Sequence, residues 1–260
     1  MDIASEANRG IGVRLADRKT LYGLLQSLPS PAVSEMAGLA GYDFVLLDAE
    51  HGGFAPPDIL PALYALASTD CASIVRLRDH DPHVLGQCLD LKVDGILAPN
   101  VRSRAEALVR AMEYPPKGSR SFGASLHRAT SYGKAVPEHV AGPRAATCLF
   151  VLIESQAGAE HAHEILAVDG VDGVIIGPYD LSADLGSAGD FSTSLYADAF
   201  MAIEAAAVDH HKLLGAALHP AFSASDLIAR GHRLLIAAAD TPLIREAFES
   251  HLLQARASSH

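Results

Sequence analysis

Two carboxylates close apolar runs in this chain. Glu154 ends CLFVLIE at 148–154, and Asp180 lies just past GVIIG at 173–177, 26 residues after Glu154. If those runs are neighbouring strands, ~4.8 Å apart, the two acids repel unless a cation lies between them. Two carboxylates with waters and a bidentate substrate suit octahedral Mg²⁺ or Mn²⁺. The same acids could instead cap the helices that follow or pair with arginines, and the pattern alone leaves both readings open. His51 directly follows Asp48-Ala49-Glu50. A histidine held by a carboxylate gains basicity and a fixed tautomer, and Asp48 and Asp90 are the available partners. A single loop histidine is more often packing or surface, and 13 histidines give that reading weight. Arg76 sits inside the apolar run SIVRL. A buried guanidinium needs a counter-charge: either it stabilises an oxyanion, or it pairs with Asp48 or Glu50. His161, His163, His210 and His211 read as solvated, and Asp79-His80-Asp81 reads as the opening of a helix at Pro82 rather than a metal cluster.

Something must bring these residues together. Eight short, almost continuously apolar runs recur at 21–25, 44–48, 73–77, 95–99, 148–154, 173–177, 213–218 and 234–239. That is the pattern of parallel strands buried on both faces. Amphipathic stretches at 57–68, 104–113, 196–211 and 223–231 lie between them, the last opening on a serine and closing on a glycine as a capped helix does. The arrangement predicts an α/β fold, a (β/α)8 barrel spanning 1–260 as one domain. An open doubly wound sheet is the alternative, but no G-x-G-x-x-G follows any strand. In such a barrel, chemistry sits where strands end. The long segment 114–144 reads as irregular, and loops of that length are usually functional.

Composition narrows the partners. Lys and Arg total 20 against 31 Asp and Glu, a net charge of −11 with no basic run. Nucleic acid and anionic membrane are poor partners for such a chain. Cys71, Cys88 and Cys148 form no CxxC pair, no apolar run approaches a membrane span, and the first residues carry no apolar leader. The cytoplasm is the expected compartment.

LLDAEHGGF, IVRLR, YPPKGSRSFG, LIES and VDGVIIGPYDLSADLG resemble the HpcH/HpaI aldolase family, from about residue 22 to residue 245. The resemblance implies a class II pyruvate aldolase that reversibly cleaves 4-hydroxy-2-keto acids to pyruvate and an aldehyde through a metal-stabilised enolate. It implies a (β/α)8 barrel with a swapped C-terminal helix in a homohexamer. It further implies Glu154 and Asp180 as ligands of Mg²⁺ or Mn²⁺, with Co²⁺ a further option. His51 would be the base, Arg76 the stabiliser of the enolate oxygen, and Asp90 the acid that raises the basicity of the histidine. The backbone around Tyr179 and Asp180 would hold the pyruvate carboxylate. Two positions depart in apolar character: Leu152 stands where the family often has Gln, and Leu25 where it has Trp. Tyr179 is bulkier than the residue usual there. From the segment 114–144, Arg120, Ser125 and Arg128 are polar candidates for the aldehyde pocket, against a reading as surface or subunit contacts. No lysine sits within an expected strand, which argues against Schiff-base chemistry. The competing functions are a citrate-lyase-β-like lyase of CoA thioesters and a barrel that binds keto acids without turnover.

Overall fold

The computed structural model describes residues 11, 20–103, 105–123, 125–142 and 147–258. The strands are β1 (Leu21–Gln26), β2 (Phe44–Asp48), β3 (Ala72–Arg76) and β4 (Gly95–Ala98), then β5 (Cys148–Ile153), β6 (Gly173–Ile176), β7 (Leu213–Ala217) and β8 (Leu234–Ala239). All pair in parallel and in chain order, and β8 returns to β1, so the sheet closes as an eight-stranded barrel. The expected strands therefore form, each within a residue or so of its predicted bounds.

The helices are α1 (Pro31–Leu39), α2 (Pro56–Leu66), α3 (Pro82–Asp90), α4 (Glu106–Met112), α5 (Val136–Ala141) and α6 (Gln156–Glu160). They continue with α7 (Ala162–Leu166), α8 (Pro178–Asp184), α9 (Ser194–Asp209), α10 (Ala224–Ala229) and α11 (Asp240–Ala257). Local chemistry explains several starts. Asp81 caps α3 by accepting from the His83 amide at 2.7 Å, so Asp79-His80-Asp81 does open a helix. Ser223 and Asp226 form a reciprocal capping box on α10, and Gly231 leaves that turn at φ 97°. The segment 114–144 is less irregular than its composition suggests. It holds a 3₁₀ turn at Arg128–Thr130 and α5.

Burial on both faces hides the two-residue period of each strand. Phe44, Leu46, Ala72, Ile74, Phe150, Leu152 and Ile175 fill the barrel interior, joined there by Ile11. Val45, Leu47, Val75, Val151, Ile153 and Val174 belong instead to the layer under the helices. Large and small residues alternate inside. A side chain at Gly23 would begin 2.1 Å from the Phe44 ring, so only glycine fits there. No helix among the described residues is long and apolar enough to cross a membrane.

Candidate active site

The interior set continues by twos beyond the apolar floor. After Phe44 and Leu46 comes Asp48; after Ala72 and Ile74 comes Arg76; after Phe150 and Leu152 comes Glu154. Each strand thus delivers a polar side chain inward at its C-terminal end. A cavity of about 400 Å³ opens there, lined among others by Asp48, His51, Arg76, Leu152, Glu154, Tyr179 and Asp180. Asp90, the candidates of the 114–144 segment and Glu50 lie outside that lining, Glu50 meeting it through Arg76.

Asp48 and Arg76 are register partners on β2 and β3. Arg76 Nε and Nη2 donate to the two oxygens of Asp48 at 2.8 and 2.7 Å. Arg76 Nη1 lies 3.2 Å from Glu50 Oε2, an ion pair without directed hydrogen-bond geometry. The backbone amides of Glu50 and His51 donate to Asp48 at 3.0 and 3.3 Å. Burial alone would raise the Asp48 pKa. The hydrogen bond and charge of Arg76, with those two amides, outweigh it and hold the carboxyl below its usual range. Arg76 therefore pairs with Asp48 and Glu50 and also lines the cavity. His51 is exposed at the rim.

Glu154 is 6% exposed and accepts one hydrogen bond, from the Asn100 amide at 2.9 Å. Burial, then the charges of Glu50 and Asp180, push its pKa up to about 7. Asp180 stands in the first turn of α8, directly after β6. The approach between these strands is close: a Cβ on Gly177 would sit 2.8 Å from both Cβ and Oε2 of Glu154. Three carboxylates and one guanidinium line the cavity, and Asp48 and Glu50 already occupy that guanidinium. Among the described residues no further cation meets the charge at Glu154 and Asp180, and an oxygen-donor pair of this kind fits a hard divalent ion. Among the described residues no group of three or more His, Cys, Asp or Glu is gathered for a metal. A two-carboxylate site leaves its other coordination positions to water and substrate.

Two sets of residues lie elsewhere within this chain. Asp90, at the end of α3, does not reach His51 within this chain. Its carboxylate accepts from Arg120 Nη2 at 2.6 Å and lies 3.4 Å from His127 Nε2. Arg128 donates to the Leu91 carbonyl at 2.9 Å, and Ser125 is exposed. Arg120, Ser125 and Arg128 do not line the cavity, because the segment that carries them packs on α3 rather than over the barrel mouth. Two acids have roles that the sequence does not show. Glu50 pairs with Arg76 as expected, and its charge also contributes to the Glu154 shift. Asp240, the first polar residue after the β8 run, accepts from Ser27 N and Oγ at 3.0 and 2.8 Å and from Leu28 N at 2.9 Å. It locks the β1 exit to the start of α11. Reading the residue that closes every apolar run, β8 included, would have found it.

The family model for HpcH/HpaI aldolase/citrate lyase matches residues 21–247. The chain belongs to that family. A hydroxypyruvate/pyruvate aldolase of Delftia acidovorans is 36% identical to this HpcH/HpaI chain over 92% of it and 89% of the relative. A 5-keto-4-deoxy-D-glucarate aldolase of Salmonella arizonae is 36% identical over 69% and 70% of the two chains. The crystal structure of an HpcH/HpaI aldolase/citrate lyase family protein from Burkholderia cenocepacia superposes with a TM-score of 0.88 at 27% identity, covering 96% of this chain and 100% of that one. This HpcH/HpaI protein is accordingly a carbon–carbon lyase of the aldolase type.

Proposed function

We propose that this lyase cleaves 4-hydroxy-2-keto acids to pyruvate and an aldehyde, and runs the reverse condensation, with a divalent cation held by Glu154 and Asp180. The observation that carries the reading is the charge arrangement at the barrel mouth. A buried carboxylate whose pKa is raised to about 7 shares the cavity with a second acid, and among the described residues no free cationic side chain lies between them. A bound Mg²⁺ or Mn²⁺ would supply Lewis acidity to a keto oxygen. Arg76, held from behind by Asp48, would donate its remaining N–H groups to negative charge developing on that oxygen. His51 would move the proton at the aldehyde oxygen. The backbone at Tyr179 and Asp180 would hold the pyruvate carboxylate, and Leu152 would keep water from the reacting carbon.

The test is deuterium exchange at the pyruvate methyl group in D₂O, followed by NMR with Mn²⁺ and then with EDTA. Exchange that needs the metal supports the reading. Absence of exchange with Mg²⁺, Mn²⁺ and Co²⁺ alike would sink it and favour a thioester lyase, for which cleavage of a malyl thioester is the direct assay.

A further inference from the structure

Tyr179 is 55% exposed and lines the cavity, an uncommon place to leave a large ring. It is not loose. Its edge meets the Phe191 ring at 5.3 Å and 83°. Phe191 in turn packs on His219 at 4.7 Å and on Tyr196 at 5.3 Å. Those inner two are buried, at 7% and 1% exposed. They are also bonded to each other. The Ala221 amide donates to His219 Nδ1 at 3.4 Å, which places the ring proton on Nε2, and Nε2 then donates to the Tyr196 hydroxyl at 3.1 Å. The turn that carries Phe191 is tied to the helix that carries Tyr179. Ser182 Oγ donates to the Tyr179 carbonyl at 2.7 Å and accepts from the Gly189 amide at 3.0 Å. A preorganised ring at the cavity wall offers contact area at little entropic cost.

The rest of the wall agrees. Leu25, Leu46, Leu97, Leu152, Ile175 and Ile236 line the cavity, and among its lining residues the one guanidinium or ammonium group is Arg76. An anionic substituent would meet carboxylates and one guanidinium already paired with Asp48 and Glu50, and an unpaired buried charge is costly.

We propose that Tyr179, braced by Phe191, selects the acceptor: an uncharged aldehyde with an apolar, preferably aryl, substituent stacks on this ring. The proposal rests on the aldolase reading and names its acceptor class. Phe191 is a positioning residue in this scheme, since it touches Tyr179 rather than substrate.

The experiment compares benzaldehyde with D-glyceraldehyde as acceptors for pyruvate, with Mn²⁺ present, in the full-length protein. Wild type should favour benzaldehyde in kcat/KM. Tyr179→Ala should lower the benzaldehyde-to-glyceraldehyde ratio about tenfold, the scale of one lost ring contact. Tyr179→Phe should keep the ratio, because the ring and not the hydroxyl does the selecting. Phe191→Ala should lower it about threefold, through KM for benzaldehyde rather than kcat. An unchanged ratio in Tyr179→Ala, or an equal loss in Tyr179→Phe, overturns the proposal. Saturation-transfer NMR with benzyl alcohol, an unreactive analogue, reads the wall without turnover. Ring signals lost in Tyr179→Ala support it even if pyruvate exchange fails in wild type, and signals retained there overturn it whether or not exchange occurs.

Discussion

Arg76 and Asp48 sit opposite one another on β3 and β2 and are joined by two hydrogen bonds at the mouth of the barrel. The side chains are 11% and 2% exposed, so the pair is nearly dry. A fork-to-fork bond of this kind fixes the plane of the guanidinium as well as its position. Arg76→Lys keeps the charge and loses the fork. Turnover is expected to fall by about 10²-fold or more, the scale of a lost oxyanion donor. Arg76→Ala leaves Asp48 and Glu50 without their counter-charge and is expected to cost about 3–5 kcal/mol of stability as well. Steady-state kinetics and urea unfolding separate the two effects. Wild-type turnover in Arg76→Lys would show that directed N–H groups at this position are dispensable.

Glu154 makes the metal-free protein sensitive to pH. Its pKa in the fold is about 7, against an ordinary value of 4.5. Between those values the folded chain keeps a proton that the unfolded chain has released. The associated stability is present below about 4.5 and is lost as pH rises through about 7. Metal-free wild type should therefore lose stability across this window, and Glu154→Gln should flatten the slope. A cation competes with the same proton. Apparent Mn²⁺ affinity should climb with pH, by up to about tenfold per unit, and level off above about 7. Urea unfolding in EDTA and Mn²⁺ titration by electron paramagnetic resonance, each from acid to neutral pH, check the two halves.

His51 tests the division between base and metal site. It lies at the rim, and its backbone, not its ring, is tied to Asp48. His51→Ala should leave the loop in place. Turnover is expected to drop by about 10²- to 10⁴-fold, while Mn²⁺ affinity stays within about twofold, since an imidazole that only moves protons contributes nothing to ligation. Parallel losses in turnover and affinity would reassign His51 to the metal.

The strands were legible because burial on both faces leaves long apolar runs; the polar residues closing two of them pointed to Asp48 and Glu154, and the lone charge inside a third pointed to Arg76. What the runs could not show was which side each polar residue faces; the two-residue period decides that, and continuous hydrophobicity hides it. Tyr179 was legible as bulky, but its brace was not. Phe191 and Tyr196 follow one another after α8, and His219 joins them from beyond β7 only in the folded barrel. The intrachain partners of Asp90 were hidden for a related reason. Its local sequence matched, yet within this chain its carboxylate belongs to Arg120 and His127, and spacing along the chain carries no information about that pairing. Short helices such as α6 and α8 escaped because one or two turns give too little periodicity to read.

Gly177 offers the sharpest test of where the Glu154 carboxylate must be. Its backbone, at φ −91° and ψ 95°, is open to any L-residue, so alanine there meets no conformational penalty. The difficulty is space. The new methyl would stand 2.8 Å from Cβ and from Oε2 of Glu154, and the neighbouring Leu152 Cδ1 is 3.4 Å away. A swing of the carboxylate relieves only the contact with Oε2; the contact with Cβ also forces the backbone after β5 and β6 apart, and both changes displace the carboxylate. Gly177→Ala is expected to weaken Mn²⁺ binding by more than about tenfold, with an overpacking cost of about 1–3 kcal/mol. Gly86→Ala is the matched control. Gly86 lies inside α3 with nothing within 4 Å of an added Cβ, so there the same substitution should stabilise by about 0.5–1 kcal/mol. The comparison holds chemistry constant and varies only what the methyl meets. If Gly177→Ala bound Mn²⁺ as wild type does, the position of Glu154 would not matter to the ion, and Glu154 could not be its ligand.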